Sequence, residues 1–304
     1  MVTIQFEEIV DITKIGSSDN PINMNELLLK ANKSPLPSSH DDKERNLLLI
    51  IDMQNDFMEH GSLAVPDSHT DVKNLLTWMY NNIGKISDIA VSFDTHQPFQ
   101  IFHSSWWVDE NGNHPEPFTV ITKKAVEDNK WKAVSFPKES YEYLEGLESK
   151  GKKKLVIWTY HCLQGSFGNA MENQLSNMVY FHSVIRDSVP LRIVKGQDPL
   201  SEMYGIIKAE FDPKDNINSK FLNKLQTYDK IIIAGEAKSH CVSESIKQII
   251  EFFNETNKSK LERMYILEDC MSNITGFEKE SDQDFKIFKE KYHLNIVKST
   301  SYSL

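Results

Sequence analysis

The stretch Ile231-Ile-Ile-Ala-Gly-Glu-Ala-Lys-Ser-His-Cys241 decides the fold. It opens on a short apolar run, rich in β-branched residues and bounded by a glycine, which reads as a buried strand. Beyond it Val242, Ile246, Ile249, Ile250 and Phe253 recur at helical spacing, so a helix begins near the cysteine. A thiol at a helix start feels partial positive charge, which favours the thiolate. Taken alone, an intracellular cysteine is more often a buried, inert small hydrophobe. Its position at a strand-to-helix turn raises the functional reading, because ligands of open parallel α/β sheets bind at the carboxyl ends of strands.

Outward from this turn, strands and helices alternate. Asn46-Leu-Leu-Leu-Ile-Ile-Asp52 reads as a first buried strand ending in a carboxylate, Asp71 to Ile83 as a helix, and Ile86 to Asp94 as a second strand. Lys153-Lys-Leu-Val-Ile-Trp158 reads as a third strand, Ala170 to Met178 as a helix, and Leu191 to Val194 as a strand ending at Lys195. Arg263 to Leu267 and His293 to Val297 complete the strands, with Gly276 to Lys291 helical between them. This alternation predicts an α/β, doubly wound, mostly parallel sheet with helices on both faces. Residues 1–45, with strand pattern over Val2 to Phe6 and a short helix over Met24 to Ala31, are expected to form an N-terminal extension packed on a main domain of residues 46–304. The aromatic-rich Ser104 to Pro137 stretch lacks a clean period and reads as a long insertion that largely shapes the substrate pocket. Its Trp106, Trp107 and Phe118 read as a lid over the pocket or as core of an added lobe, and core is favoured, since aromatics contribute mostly by burial.

Composition narrows the function. With 304 residues, 39% hydrophobic and 26% charged, the chain is an ordinary globular protein. A formal net charge of -10 argues against nucleic-acid and anionic-membrane partners. No apolar run is long enough to span a bilayer, and Met1 to Glu7 lacks a signal-peptide pattern. Three cysteines, Cys162, Cys241 and Cys270, are too few for a disulfide framework, so a cytoplasmic setting is expected.

Asp52, Asp94, His96, His161, Lys195 and Cys241 all fall at or just beyond strand ends, which face one crevice in such a fold. Singly, each has a plainer reading: Asp52 as a cap, Lys195 as a solvated turn residue. Asp94, His96 and His161 together have metal logic, since two imidazoles and a carboxylate leave coordination positions open, and zinc, iron and manganese all accept that set. His103 competes as a ligand, whereas His60, His69 and His114 read as surface or turn residues. Asp52, Lys195 and Cys241 have nucleophile logic: a carboxylate to take the thiol proton and a lysine to offset negative charge. That chemistry suits attack on an amide carbonyl, with the oxyanion held by the N–H groups of Ala237 and Cys241.

The sequence resembles the isochorismatase-like cysteine hydrolases, and within them the nicotinamidases. The resemblance rests on Asp52-Met-Gln-Asn-Asp-Phe57 with Gly61-Ser-Leu63, Asp94-Thr-His96, Trp158-Thr-Tyr-His-Cys-Leu-Gln-Gly-Ser166, Val194-Lys-Gly196 and Gly235-Glu-Ala-Lys-Ser-His-Cys241, in the family's order across Leu47 to Val297. It implies a catalytic triad of Asp52, Lys195 and Cys241, and a divalent metal, zinc foremost, on Asp94, His96 and His161. It also implies substrate contacts from Phe57, Trp158 and Tyr204, and a cis peptide at Glu236–Ala237. The implied activity is hydrolysis of a small carboxamide, nicotinamide first, to acid and ammonia; another amide or carbamoyl substrate, or a catalytically idle metabolite-binding relative, are the alternatives. Family members are often oligomers, so a homo-oligomer is an expectation too. The chain departs from the family at Ser239, commonly Asp, at Thr95, commonly aromatic, and at Thr159 and Tyr160, where the family usually has proline.

Overall fold

The computed structural model describes residues 4–304. Six strands form the central sheet: β1 Asn46–Ile51, β2 Asp88–Asp94, β3 Leu191–Lys195, β4 Lys230–Gly235, β5 Met264–Leu267 and β6 Asn295–Val297. Their order is β6-β5-β4-β1-β2-β3, and every neighbouring pair is parallel. This is the doubly wound arrangement, in which the direction of winding reverses between β1 and β4 and leaves a crevice at their carboxyl ends. The register Asn46↔Lys230 through Ile51↔Gly235 sets Asp52 and the turn after Gly235 side by side at that crevice.

β1 is buried along its whole length because both faces are covered. Leu47, Leu49 and Ile51 point to one core with helices α3 Pro137–Ser149, α5 Ser243–Thr256 and α6 Glu278–Glu290. Leu48 and Ile50 point to the other, with α1 Met24–Lys33, α2 Ser68–Asn82 and α4 Asn173–Ile185. Residues preceding β1 join this second core through Ile9, Val10, Leu27 and Ala31. Arg186, just past α4, pins the same segment by a two-pronged bond to Asp42 (2.7 and 2.6 Å).

Three expectations are corrected. Lys153–Trp158 does not enter the central sheet: only Leu155–Val156 is strand, paired antiparallel with Val120–Ile121. The Ile157 N–H goes to Thr119 O at 2.8 Å, so this backbone finds its partners in the neighbouring insertion rather than beside β2. The strand pattern over Val2 to Phe6 lies partly outside the described residues, and Phe6 instead opens a helical turn, Phe6–Ile9. Within the insertion, Trp106 and Trp107 are fully buried, their indole N–H groups donating to Ser140 Oγ (2.9 Å) and Ile101 O (2.7 Å). Phe118 is 53% exposed and only touches Trp158 edge-on, so it is not core. Among the described residues no helix is long and apolar enough to cross a membrane.

Gly235 is the tightest point of the β1–β4 seam. Its φ is +129°, and a Cβ there would lie 2.0 Å from Ile51 O. Neither strand backbone can yield without breaking the ladder. Gly235→Ala is therefore expected to destabilise the fold by at least about 2 kcal/mol, measured as a lower urea midpoint at unchanged slope; an unchanged midpoint contradicts the packing described.

Candidate active site

Three strand ends and one helical turn converge on a buried ammonium. Lys195 ends β3, and its Nζ lies 2.8 Å from Asp52 Oδ2, 3.0 Å from Asp94 Oδ1, 2.9 Å from Met203 O and 3.6 Å from Cys241 Sγ. Asp52 follows β1 with a left-handed φ of +41°, which turns its side chain back over the sheet edge. It is fixed there by Ser92: the Asp52 N–H donates to Ser92 Oγ (3.0 Å), and that hydroxyl donates to Asp52 Oδ1 (2.5 Å). Cys241 sits in a tight helical turn, Lys238–Val242, between β4 and α5. The peptide Glu236–Ala237 before it is cis. At this turn the His240 and Val242 N–H groups donate to Ala237 O and the Lys238 N–H to Ser272 O; the Ala237 and Cys241 N–H groups take no part in these bonds.

The electrostatics revise one expectation. Burial pushes the Cys241 thiol well above its ordinary range, and Asp52 and Asp94 push the same way against Lys195. The resting sulfur is a thiol rather than a thiolate, because loss of water outweighs both the helix start and the lysine. Burial also raises Asp52 despite Lys195, which makes it a better proton acceptor. Burial would lower Lys195, but Asp52, Asp94 and Cys241 outweigh it and keep the ammonium charged.

Asp94, His96 and His161 form a second group whose ligand atoms all lie within 4.8 Å of one another. Asp94 Oδ2 is 3.0 Å from His96 Nε2 and 3.8 Å from His161 Nε2. Each imidazole turns Nδ1 to a backbone carbonyl, Gly196 O at 3.1 Å and Thr159 O at 2.8 Å. Those carbonyls select the tautomer with its hydrogen on Nδ1, leaving both Nε2 lone pairs aimed inward. His96 Nε2 is buried without a hydrogen-bond partner. An unsatisfied inward lone pair beside a carboxylate fits a divalent cation. His103 is not in this group; its Nδ1 faces Pro98 O at 3.2 Å and its ring lies against Tyr160.

Residues of the opening segment prove to be the struts of the site. Gln54 takes the Asp94 N–H on Oε1 (2.7 Å) and donates Nε2 to Asp94 O (2.8 Å). Asp56 Oδ2 accepts the Cys162 N–H (2.6 Å), which holds the turn after His161. Ser239 accepts the Ile274 N–H (3.2 Å) and lies 2.9 Å from His240 Nδ1, tying a neighbouring loop to the Cys241 turn.

A cavity of about 20 Å³ opens beside Cys241, Asp94 and His161, enough for a water but not for a six-membered ring. Phe57, Trp158, Tyr204 and Ala237 line it, as do Leu63, Glu202, His240 and Ile274. No lining residue comes from Ser104–Pro137, so the insertion does not form the wall expected of it. Of the lining side chains, Glu202, His240 and Ile274 escape sequence reasoning: an isolated acid or histidine beside a motif carries no spacing signal. Glu202 is buried at 3% exposure and burial raises it to about 7, with Met203 N–H on its Oε1 (3.0 Å). A larger surface hollow along β3 and α4, bounded by Phe93, Tyr180 and Arg192, contains none of the groups around Lys195.

No family model matches the chain. In sequence it is 26% identical over 217 residues to the nicotinamidase of Escherichia coli (strain K12), covering 69% of this chain and 78% of that one. In structure it is similar to the Acinetobacter baumanii nicotinamidase/pyrazinamidase, with TM-score 0.57, 17% identity, and 86% and 99% of the two chains covered. It is likewise similar to the yeast nicotinamidase bound to the inhibitor nicotinaldehyde, with TM-score 0.56, 20% identity, and 83% and 99% covered. The likeness in structure gives this chain the α/β, isochorismatase-like fold of these proteins. The proteins it resembles in sequence and in structure are nicotinamidases.

Gly196 tests the metal geometry. Its φ is +75°, and a Cβ there would lie 2.6 Å from Asp94 Oδ1 and 2.7 Å from His96 Cε1. Wild-type protein is expected to bind one divalent ion per chain by calorimetry, and Gly196→Ala to bind it about 10–100-fold more weakly. Equal affinities, or no uptake by wild type, contradict the ligand set.

Proposed function

We propose that the protein is a cytoplasmic, metal-assisted cysteine amidohydrolase that converts a small carboxamide to its acid and ammonia, with nicotinamide as leading substrate. One observation carries the reading: a single buried ammonium within 3.6 Å of a thiol and within 3.0 Å of two carboxylates. Its partner is a small amide rather than nucleic acid or membrane, in keeping with the net charge of -10. The nicotinamidase relative at 26% identity supports nicotinamide as the first substrate.

In this mechanism Asp52 accepts the Cys241 proton as Sγ attacks the amide carbon, and the N–H groups of Ala237 and Cys241 take the developing oxyanion. Lys195 stays protonated, offsetting the charge that moves between sulfur and carboxyl. Asp52 then returns the proton to the departing nitrogen, which leaves as ammonia and gives a thioester on Cys241. Asp52 next takes a proton from water, whose oxygen attacks the thioester carbonyl; the acid leaves and the thiol is restored. A divalent ion on Asp94, His96 and His161 would supply positive charge and an open coordination position for a substrate heteroatom. Phe57 and Trp158 would flank the substrate, with Tyr204 at the rim.

The narrow cavity favours a second reading of the substrate, a smaller aliphatic amide or carbamoyl compound taken by the same nucleophile. A panel of amides separates the two. Wild type is expected to release ammonia from at least one of them, nicotinamide foremost, and Cys241→Ala and Asp52→Asn to lose at least about 10³-fold of that rate. Ammonia release from no amide, or an unimpaired Cys241→Ala, would overturn the enzyme reading.

A further inference from the structure

A pair of acids beneath the nucleophile turn has no place in the chemistry above. Glu236 is fully buried between β4 and the turn that presents Cys241, and Asp71 is buried at 4% exposure in the first turn of α2 on the second face of the sheet. The two carboxyl groups act on each other across the space between β4 and α2. Glu236 Oε2 accepts the Ser272 N–H at 3.1 Å. Among the described residues Glu236 Oε1 and Asp71 Oδ2 are buried with no donor to satisfy them.

Two carboxylates offer only acceptors, so a hydrogen bond between them needs a proton. The ionisable groups acting on the pair from the packed elements are Asp67 and Asp269, both acidic, with the Cys270 thiol nearby; none of these is a cation. The start of α2 favours the negative charge on Asp71, which leaves the proton on Glu236.

We propose that Glu236 is a positioning residue which, as a carboxylic acid donating to Asp71, clamps the Ala237–Cys241 turn to helix α2 and to the Ser272 loop. The clamp reaches the site at two points. The Glu236 N–H donates to Ile51 O (2.8 Å), next to Asp52, and the Ser272 loop continues to Ile274, which lines the cavity. Its meaning for catalysis rests on Cys241 being the nucleophile; the clamp itself does not.

The sign of the pH effect follows from where the proton is held. Burial raises Asp71 to about 6 and Glu236 well above its ordinary value; Asp71 raises Glu236 further, whereas Glu236, as the donor, lowers Asp71. The folded state therefore holds protons that the unfolded chain releases. The stabilisation is complete below the ordinary carboxyl range and is lost as pH rises, when two buried anions face each other.

Glu236→Gln tests this directly, because its amide can donate to Asp71 and accept from Ser272 without a titrating proton. Thermal midpoints are measured from pH 5.5 to 8.5, and Cys241 alkylation by iodoacetamide is followed on its own peptide over the same range. Wild type is expected to lose midpoint steadily as pH rises while Glu236→Gln stays flatter, so that the two curves converge at low pH and separate at high pH. The ratio of their alkylation rates is expected to change at least threefold across the range. Asp71→Asn, which lets Glu236 ionise against a donor, is expected to flatten the curve as well. Parallel midpoint curves with a constant alkylation ratio would mean packing alone and overturn the proposal. These readouts need no substrate, so they stand apart from the amidohydrolase reading.

Discussion

A fully buried lysine needs compensation for its lost hydration, and the site is organised around that need. Lys195 obtains it from Asp52 and Asp94, each at about hydrogen-bond distance, and from the Met203 carbonyl. The attraction of two carboxylates keeps the ammonium charged where burial would neutralise it. In turn the ammonium lets two carboxylates share a dry crevice. One of them faces the thiol and the other the imidazoles, so the Cys241 group and the Asp94, His96 and His161 group are halves of one charge network.

Sheet topology supplies the convergence. Strand order reverses between β1 and β4, and the flanking strands β2 and β3 end at the same rim. Asp52, Asp94 and Lys195, far apart in the chain, thus meet without any irregular excursion of the backbone. Precision comes from neighbours rather than from the reacting groups. Ser92 orients Asp52, Gln54 brackets the backbone of Asp94, and Gly196 leaves room for the carboxylate and imidazole together. Asp56 and Gly168 are locked the same way, since a Cβ at Gly168 would sit 1.9 Å from Asp56 Oδ2.

Much of this was legible in the chain. β1 and β4 are uninterrupted apolar runs ending in a polar residue, and such runs belong to strands covered on both faces. Strand-end position alone picks out the groups that meet at Lys195. Lys153–Trp158 has the same apolar look, but an apolar run does not say which backbone will pair with it, and here the insertion does. The state of the Cys241 thiol is not legible in the sequence, because its electrostatics depend on burial, which spacing does not encode. Glu202, Glu236 and Asp71 stayed hidden for a related reason: an isolated acid in sequence looks like a solvated one until its surroundings close over it.

The account stands on Lys195 and Asp52 being coupled partners rather than neighbours. A double-mutant cycle on folding stability with Lys195→Met and Asp52→Asn measures that coupling with no assumption about substrate. Removing the lysine alone is expected to cost about 3–5 kcal/mol, because it strands buried carboxylates, and adding Asp52→Asn is expected to recover at least about 1 kcal/mol of it. Strictly additive single effects, within about 0.5 kcal/mol, would contradict the network on which the site is built.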